Sequence, residues 1–427
     1  MTVAALRRFF GDRKGNVAII FAFSLMPIAL LTGMGIDYTV ATQKKAQLDS
    51  AADAAALAAV TPAMMAQPPS ASITAATNMF NSQAANISGM SGSASPSVAA
   101  VDNGLTRTVT VNYTAASNNA FSGVLGRQNW ALAGSSQATS SVAPNIDFYL
   151  LLDNSPSMAI AATTAGINTM VTNTSKQGGC AFACHESNPS ADNLGNPNNE
   201  DNYTLARNLS VVTRIQNLNA ATQSLMDTAT TTMQNFNSTY KMAIYTFNTG
   251  GINTITALTP SLSTAKSLAA SIDVLQVYKN NCLTSSNCNN DEDTDFEAAM
   301  SGINTKMPNP GSGMAGQPSE EVLFIVSDGV DDSNVSGSRN QALFNTSMCT
   351  TVKNRGIRIA VLYTTYLPLP TNSWYNSYIA PFQPQIAGNM QSCASPGLFF
   401  QVSTDQDISP AMAALFQQAV ATARLTR

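Results

Sequence analysis

The chain has 427 residues, enough for two or three domains, and 44% of them are hydrophobic, so a sizeable core is expected. Only 11% are charged and the net charge is −4, with no basic run beyond the N-terminus, which argues against nucleic acid as a partner because phosphate neutralisation needs clustered Lys and Arg. His185 is the one histidine, which disfavours any mechanism built on a histidine pair or triad.

The first element is apolar. Residues 15–36, GNVAIIFAFSLMPIALLTGMGI, carry no charge and are long enough to cross a hydrocarbon core as a helix. Arg7, Arg8, Arg13 and Lys14 precede them and Asp37 follows. The positive-inside rule then places residues 1–14 in the cytoplasm and the rest of the chain outside it. A cleaved signal peptide is the weaker reading: the apolar run exceeds an ordinary signal core, and an Ala-rich stretch continues the helix without Gly or Pro to Pro62. One long helix is expected from about Val17 to Val60, with a bilayer-tolerated kink at Pro27.

This region, RKGNVAIIFAFSLMPIALLTGMGIDY followed by QLDSAADAAALAA, resembles the N-terminus of TadG-like proteins of the bacterial tight-adherence (Flp pilus) assembly systems. The resemblance implies a pilus-assembly role at the inner membrane, with the large C-terminal part in the periplasm or beyond. Pseudopilin relatives of the family carry a Glu five residues into the processed helix, whereas Ile20 stands at that place here.

Residues 37–143 read as the outer half of the helix followed by a small pilin-like unit. A short helical patch is expected at about Ser72 to Asn81. Val109, Val111 and Tyr113 alternate with polar residues in LTRTVTVNYTA, the period-two mark of a half-buried strand, and Trp130 to Ser141 reads as a second strand. A bare stalk is the alternative.

From about Pro144 the pattern changes to apolar runs alternating with helical stretches. IDFYLLL (146–152), YKMAIYTF (240–247), EVLFIVS (321–327) and IRIAVLY (357–363) fit buried strands, and LFFQV precedes a last helix at Ile408 to Ala423. The clearest helix is Tyr203 to Gln234, where Ile215, Leu218, Thr222, Leu225, Ala229 and Met233 recur at three-or-four spacing. Strands alternating with helices imply an α/β class, a doubly wound and mainly parallel sheet. Insertions are expected at about 159–202 and 277–293, both emerging beside the carboxyl edge of the sheet.

At that edge IDFYLLL ends in Asp153-Asn154-Ser155-Pro156-Ser157, a D-x-S-x-S arrangement, and EVLFIVS ends in Asp328-Gly329. Thr294-Asp295 opens an amphipathic helix nearby in the scheme, and Thr284 lies on the same loop. Two hydroxyls two residues apart can turn toward one ion above a strand end, and hard cations such as Mg²⁺ take oxygen ligands. Ligand sites of open α/β sheets lie at this edge. The competing reading is that these residues only cap helices, since Ser, Thr and Asp are favoured N-caps.

Residues 144–427 resemble the von Willebrand factor A domain. The resemblance implies a metal-ion-dependent adhesion site formed by Asp153, Ser155, Ser157, Thr294 and Asp328. It also implies a divalent cation, Mg²⁺ first and Mn²⁺ or Ca²⁺ next, and a protein partner that offers a carboxylate to it. No phosphate loop, catalytic triad or carboxylate pair stands out, so no enzymatic activity is expected. A surface adhesin and a structural envelope tether are the alternative functions, and the sequence leaves the oligomeric state open.

Cys180, Cys184, Cys282, Cys288, Cys349 and Cys393 all follow the apolar segment, and an even number suggests three disulfides in an oxidising compartment. Proximity favours Cys180–Cys184, Cys282–Cys288 and Cys349–Cys393 out of fifteen pairings. Cys180, Cys184 and His185 miss the C-x-x-C-H haem spacing by one residue, and zinc there is disfavoured outside the cytoplasm. Asp291, Asp293 and Asp295 alternate as in a Ca²⁺ loop but lack its Gly and terminal Glu, so a solvated acidic loop at a helix start is preferred.

Overall fold

The computed structural model describes residues 16–425, apart from 104, 142, 182–183, 237, 280–293, 315, 336–337, 404 and 406. The chain divides into two compact units, Met1–Ser141 and Val142–Arg427.

The first unit is built on one helix, α1 (Asn16–Ala58), with Pro27 inside it. At 1.5 Å per residue it is about 65 Å long. Its first half carries exposed apolar side chains: Ile19, Ile20, Phe21, Phe23, Leu25 and Met26 all face outward. Its second half is the core of the unit, where Ala41, Leu48, Ala51, Ala52, Ala55, Ala56 and Ala59 are buried. Alanine at these positions leaves the backbone approachable, so helix α2 (Pro69–Ala84) and three antiparallel strands can pack against it. The strands are β1 (Ser95–Asn103), β2 (Thr106–Asn118) and β3 (Asn129–Ser141), in the order β1-β2-β3. The expected helix packed on antiparallel strands is present, with one strand more than the alternation revealed: in β1, half-exposed Ala and Val residues give no clear inward face.

Polar ties fix how β2 runs along α1. Buried Arg107, at the start of β2, binds Asp102 and donates to the Met64 carbonyl and Ser72 Oγ. Tyr113 stacks on Phe80, and its hydroxyl donates to Asp49. Lys44 donates to Ser117 Oγ near the end of β2. The strand therefore runs antiparallel to α1, from the helix end back toward its middle.

The second unit is a six-stranded sheet with helices around it. Its strands are β4 (Ile146–Asp153), β5 (Tyr240–Asn248), β6 (Gly251–Thr259), β7 (Glu320–Ser327), β10 (Arg358–Thr365) and β11 (Phe399–Ser403). The order is β11-β10-β7-β4-β5-β6, parallel throughout except for β6, which runs antiparallel to β5. Counted along the sheet strands alone this is 3-2-1-4-5-6, the doubly wound order. Every residue of β4 and of β7 is buried, the mark of strands covered on both faces. A separate hairpin, β8 (Val330–Val335) and β9 (Ser338–Leu343), follows β7 directly.

Helices α3 (Thr164–Asn173), α4 (Asn202–Asn208), α5 (Arg214–Phe236), α6 (Leu262–Ala269) and α7 (Phe296–Lys306) precede β7. Helices α8 (Ser347–Asn354), α9 (Ser373–Tyr378), α10 (Ile386–Cys393) and α11 (Ser409–Leu425) follow the hairpin. The helix expected over Tyr203 to Gln234 is broken in two. Ser210 takes a left-handed φ of 56°, and residues 212–213 leave the helical path to bond with the chain after β4, through Ala162 N to the Val212 carbonyl and the Ala161–Thr213 bridge.

Cys349 on α8 and Cys393 at the end of α10 form a disulfide. Cys180 and Cys184 are not bonded to each other, contrary to the pairing favoured by proximity. Nearness in sequence does not set the Cα separation that a disulfide requires. Cys282 and Cys288 lie outside the described residues, as do Thr284, Asp291 and Asp293.

At the amino edge of the sheet Asp147 of β4 and Glu321 of β7 are buried, and Lys241 pairs with Asp147 at 3.2 Å. Burial, reinforced by the Asp147 charge and opposed by Lys241 and Arg355, pushes the Glu321 carboxyl up to about 8. A carboxyl whose pKa rises on folding contributes stability that is complete below its unfolded value and is lost as pH rises through the folded one. The melting temperature should therefore fall from pH 5 to pH 8, and Glu321→Gln should flatten that decline when both proteins are melted across the range. Replacing Cys349 and Cys393 by Ala should cost about 4 kcal/mol by the loop-entropy argument, read from urea denaturation under non-reducing conditions.

Candidate metal centre

The carboxyl edge of the sheet brings four of the five expected residues into one cluster. Asp153 ends β4, and the chain turns at once into a short 3₁₀ segment, Pro156–Ala159, because Pro156 fixes its own φ and suits a first helical position. Ser155 does not cap that segment. Its N–H and its Oγ both donate back to Asp153 Oδ1, at 3.0 and 2.6 Å. Ser155 Oγ also lies 3.0 Å from Ser157 Oγ. The two hydroxyls thus share one side of the strand end, which the capping alternative does not require.

The neighbouring strand supplies the rest. Ser327 Oγ donates to Asp153 Oδ2 at 2.7 Å, and Asp328 follows on the turn at Gly329. Gly329 has a φ of 77°, and a Cβ there would lie 2.5 Å from Ile386 Cγ2, so both conformation and space favour glycine. Asp153 and Asp328 are completely buried.

Thr294 lies on the adjoining segment, buried, just before α7. It exchanges two backbone hydrogen bonds with Asp332, four residues beyond Asp328. Asp295 caps α7 through Ala298 N, and its own N–H reaches the Asn248 carbonyl at the end of β5. Thr294 is therefore held at the same sheet edge, joined to the cluster through the β7–β8 turn.

Arg214, the first residue of α5, was not among the expected site residues. It is buried, and its Nη1 donates to Asp328 Oδ2 at 3.0 Å. Its guanidinium lies 4.7 Å from the Tyr366 ring centroid. Nε and Nη2 have no hydrogen-bond partner among the described residues. The break between α4 and α5 puts it there. Thr213 stands just before α5, and Gln216 Oε1 accepts from its N–H at 2.9 Å and from its hydroxyl at 3.3 Å, which ties the start of the helix. The Thr213-Arg-Ile-Gln216 run is the sequence signal that could have marked this helix start.

Electrostatics follow from two buried carboxylates facing one guanidinium. Burial, reinforced by the Asp328 charge and opposed by hydrogen bonds from Ser155 and Ser327, pushes Asp153 up to about 7. Burial also raises Asp328, against the pull of Arg214 and a hydrogen bond from Ser157. One guanidinium does not offset two ionised carboxylates, so burial favours the protonated acids here. The donors of the site are all hydroxyl and carboxylate oxygens, the set a hard divalent cation takes. The residues present thus fit a cation of the Mg²⁺ type.

Residues 185–187 and 273–277 come to the chain beside this edge. Leu275 N donates to the Asn154 carbonyl, and Asn154 Nδ2 to the Asp273 carbonyl. Two residues on, Val277 N donates to the His185 carbonyl and pairs through the Glu186–Val277 bridge. His185 packs against Tyr203 with its Nδ1 buried. By contrast, a cleft of about 570 Å³ lined by Glu320, Glu321, Arg355 and Arg358 lies at the amino edge, away from the cluster.

Removing Arg214 should leave Asp328 buried without its counter-charge. Arg214→Met is expected to lose about 3 kcal/mol of stability in chelator. The deficit should shrink when Mg²⁺ is added, since a cation replaces the lost charge; paired urea titrations followed by near-ultraviolet circular dichroism read both values.

Comparison with known proteins bears on the N-terminal segment. Residues 15–67 match the family described as putative Flp pilus-assembly TadE/G-like. No curated protein matches the sequence. Among solved structures, the von Willebrand domain of the type V pili tip protein Mfa5 from Porphyromonas gingivalis aligns with 67% of this chain and 97% of its own, at 9% identity and a TM-score of 0.36. The pilus adhesin SpaC from Lactobacillus rhamnosus GG aligns with 77% of this chain at 10% identity and a TM-score of 0.35, and the alignment spans about a third of SpaC, 34% of its length. The SpRpn10 VWA domain aligns with 64% of this chain and 95% of its own, at 9% identity and a TM-score of 0.31. The fold assignment rests on the strand order and on the cluster at the sheet edge: this chain joins a TadE/G-like N-terminal segment to a von Willebrand factor A-like α/β unit.

Proposed function

We propose that this protein is a membrane-anchored component of a Flp-type pilus-assembly system and that its α/β unit binds a protein partner through a divalent cation. The TadE/G-like match over residues 15–67 supports the pilus setting. Helix α1 is long and apolar enough to cross a membrane, with a mean hydropathy of 2.1 in its most apolar window. Its continuity favours an anchor over a cleaved signal: the same helix that begins apolar and exposed becomes the buried core of the first unit after Asp37. With the basic residues 7–14 inside, the chain after Asp37 lies on the far side of a bacterial inner membrane.

The observation that carries the binding role is the hydroxyl–carboxylate cluster of Asp153, Ser155, Ser157 and Asp328 at the end of the central strand. Ser155, Ser157 and Thr294 would hold the cation, with Asp153 and Asp328 supplying the charge. When bound, the cation offers a Lewis-acidic position that a partner's Asp or Glu can complete. This chain's residues prepare the site. Ser327 orients Asp153, Arg214 holds Asp328, and the paired segments around His185 and Val277 are joined to the strand end through Leu275 and Asn154. The role is one of binding rather than catalysis. Neither Ser155 nor Ser157 has a histidine beside it, since the lone His185 packs on Tyr203.

Calorimetric titration of the full chain in detergent with Mg²⁺, Mn²⁺ and Ca²⁺ tests the site. Saturable binding that Asp153→Ala abolishes is the expected result, and Asp153→Ala should also fail to restore pili to a deletion strain. Restoration of normal pili by that variant would sink the metal-dependent role and favour a structural tether. Cleavage of the α/β unit by protease added to intact cells would instead favour a surface adhesin.

A further inference from the structure

The connection between β2 and β3, residues 119–128, is tied to α1 at the point where its apolar half ends. Asp37 is buried, and its carboxylate accepts the N–H groups of Ala120, Phe121 and Ser122 at 2.6 to 3.3 Å. Burial alone would raise this carboxyl, but the backbone donors outweigh it and hold it below the usual aspartate value. The loop is closed on itself: Asn119 N donates to the Gln128 carbonyl, and Arg127 N to the Ser122 carbonyl. It is a compact, hydrogen-bonded tip fixed to one place on the helix.

That tip presents apolar side chains to the outside. Val124 is 80% exposed, Leu125 54% and Phe121 44%. Folding normally hides such residues, and here three stand together on a five-residue turn. Phe121 lies over Gly33, inside the apolar stretch of α1, where any Cβ would meet its ring. The apolar surface of the tip is therefore continuous with that of the helix. Just beyond it stand the side chains typical of a bilayer boundary: Tyr38 packs edge-on against Trp130, and the Arg127 guanidinium lies 4.6 Å from the Trp130 ring.

We propose that residues 121–125 are a second membrane contact, an apolar tip that Asp37 holds at the outer end of the spanning helix so that Phe121, Val124 and Leu125 enter the interfacial layer of the bilayer. The inference rests on the reading of α1 as a membrane anchor. Its occupant is lipid because the tip continues the surface of a helix whose exposed side chains need lipid. β2 and β3 then stand on the membrane at one end, while Val101 and Arg107, at the other end of the sheet near Met64, stand well clear of it. Tip and helix together give two points of attachment, which fix the rotation of the first unit about the helix axis.

The full chain reconstituted in phosphatidylcholine–phosphatidylglycerol nanodiscs tests this, using acyl-brominated lipids as quenchers. Single tryptophans are placed at Phe23, Val124 or Val101, all exposed positions, in a Trp130→Phe, Trp374→Phe background. Val124→Trp should lose most of its emission to lipids brominated high on the acyl chain, Phe23→Trp to lipids brominated deeper, and Val101→Trp should lose almost none. Quenching at position 23 with none at 124 overturns the tip contact and leaves the anchor standing. A lack of quenching at position 23 overturns the anchor, and the tip contact with it. A blue-shifted but unquenched Val124→Trp would assign the tip to protein, a second copy or a partner, and would also overturn the proposal. Val124→Asp, which disturbs no buried group, should keep the native circular dichroism while exposing the loop to chymotrypsin in nanodiscs.

Discussion

Asp153 and Asp328 are carried by neighbouring strands into complete burial at one sheet edge, where like charges must be offset by a positive group or relieved by protonation. Arg214 supplies one charge, and the hydroxyls of Ser155, Ser157 and Ser327 supply hydrogen bonds. Much of the second unit is arranged around that requirement. The chain breaks its long helix at residues 209–213 so that Arg214 can start α5 against Asp328. Tyr366, beyond β10, covers the guanidinium face. Gly329 lets the β7 turn pass Ile386 closely enough to keep Asp328 inside. A buried charge cluster adds little net stability over an apolar one.

The first unit meets a different constraint. One helix must be apolar outside over its first half and small-sided over its second. Isoleucine, leucine and phenylalanine stand where side chains face outward, and alanine where a sheet and a second helix must come close. Asp37 marks the change. A carboxylate there would be costly to bury without partners. Three backbone N–H groups from one turn satisfy it, which anchors the β2–β3 loop at the same level.

The site and the fold also explain each other chemically. A doubly wound sheet collects its loops at the carboxyl ends of the strands, so residues 153–157, 294 and 328 arrive together although 175 positions separate the first from the last. The antiparallel edge strand β6 and the β8–β9 hairpin lie outside the parallel core. They decorate the sheet without altering the order in which β4, β5 and β7 meet.

The sequence by itself determined whatever depends on neighbours along the chain. The apolar run before Asp37, the alternation of β2, the buried strands β4, β5, β7 and β10, and the D-x-S-x-S and Asp-Gly turns at two strand ends were all legible as local patterns. β1 and β6 were not, because half-exposed edge strands carry no strong alternation. The continuous helix expected over 203–234 was an overreach: the three-or-four spacing of its apolar residues masked the Thr213–Gln216 cap. Only the tertiary structure decided that Arg214 meets Asp328, that Val277 pairs with residues 185–187, and that residues 120–122 close on Asp37. Each of these joins groups some 80 to 120 positions apart, and such meetings depend on sheet order and packing, to which short-range periodicity is blind.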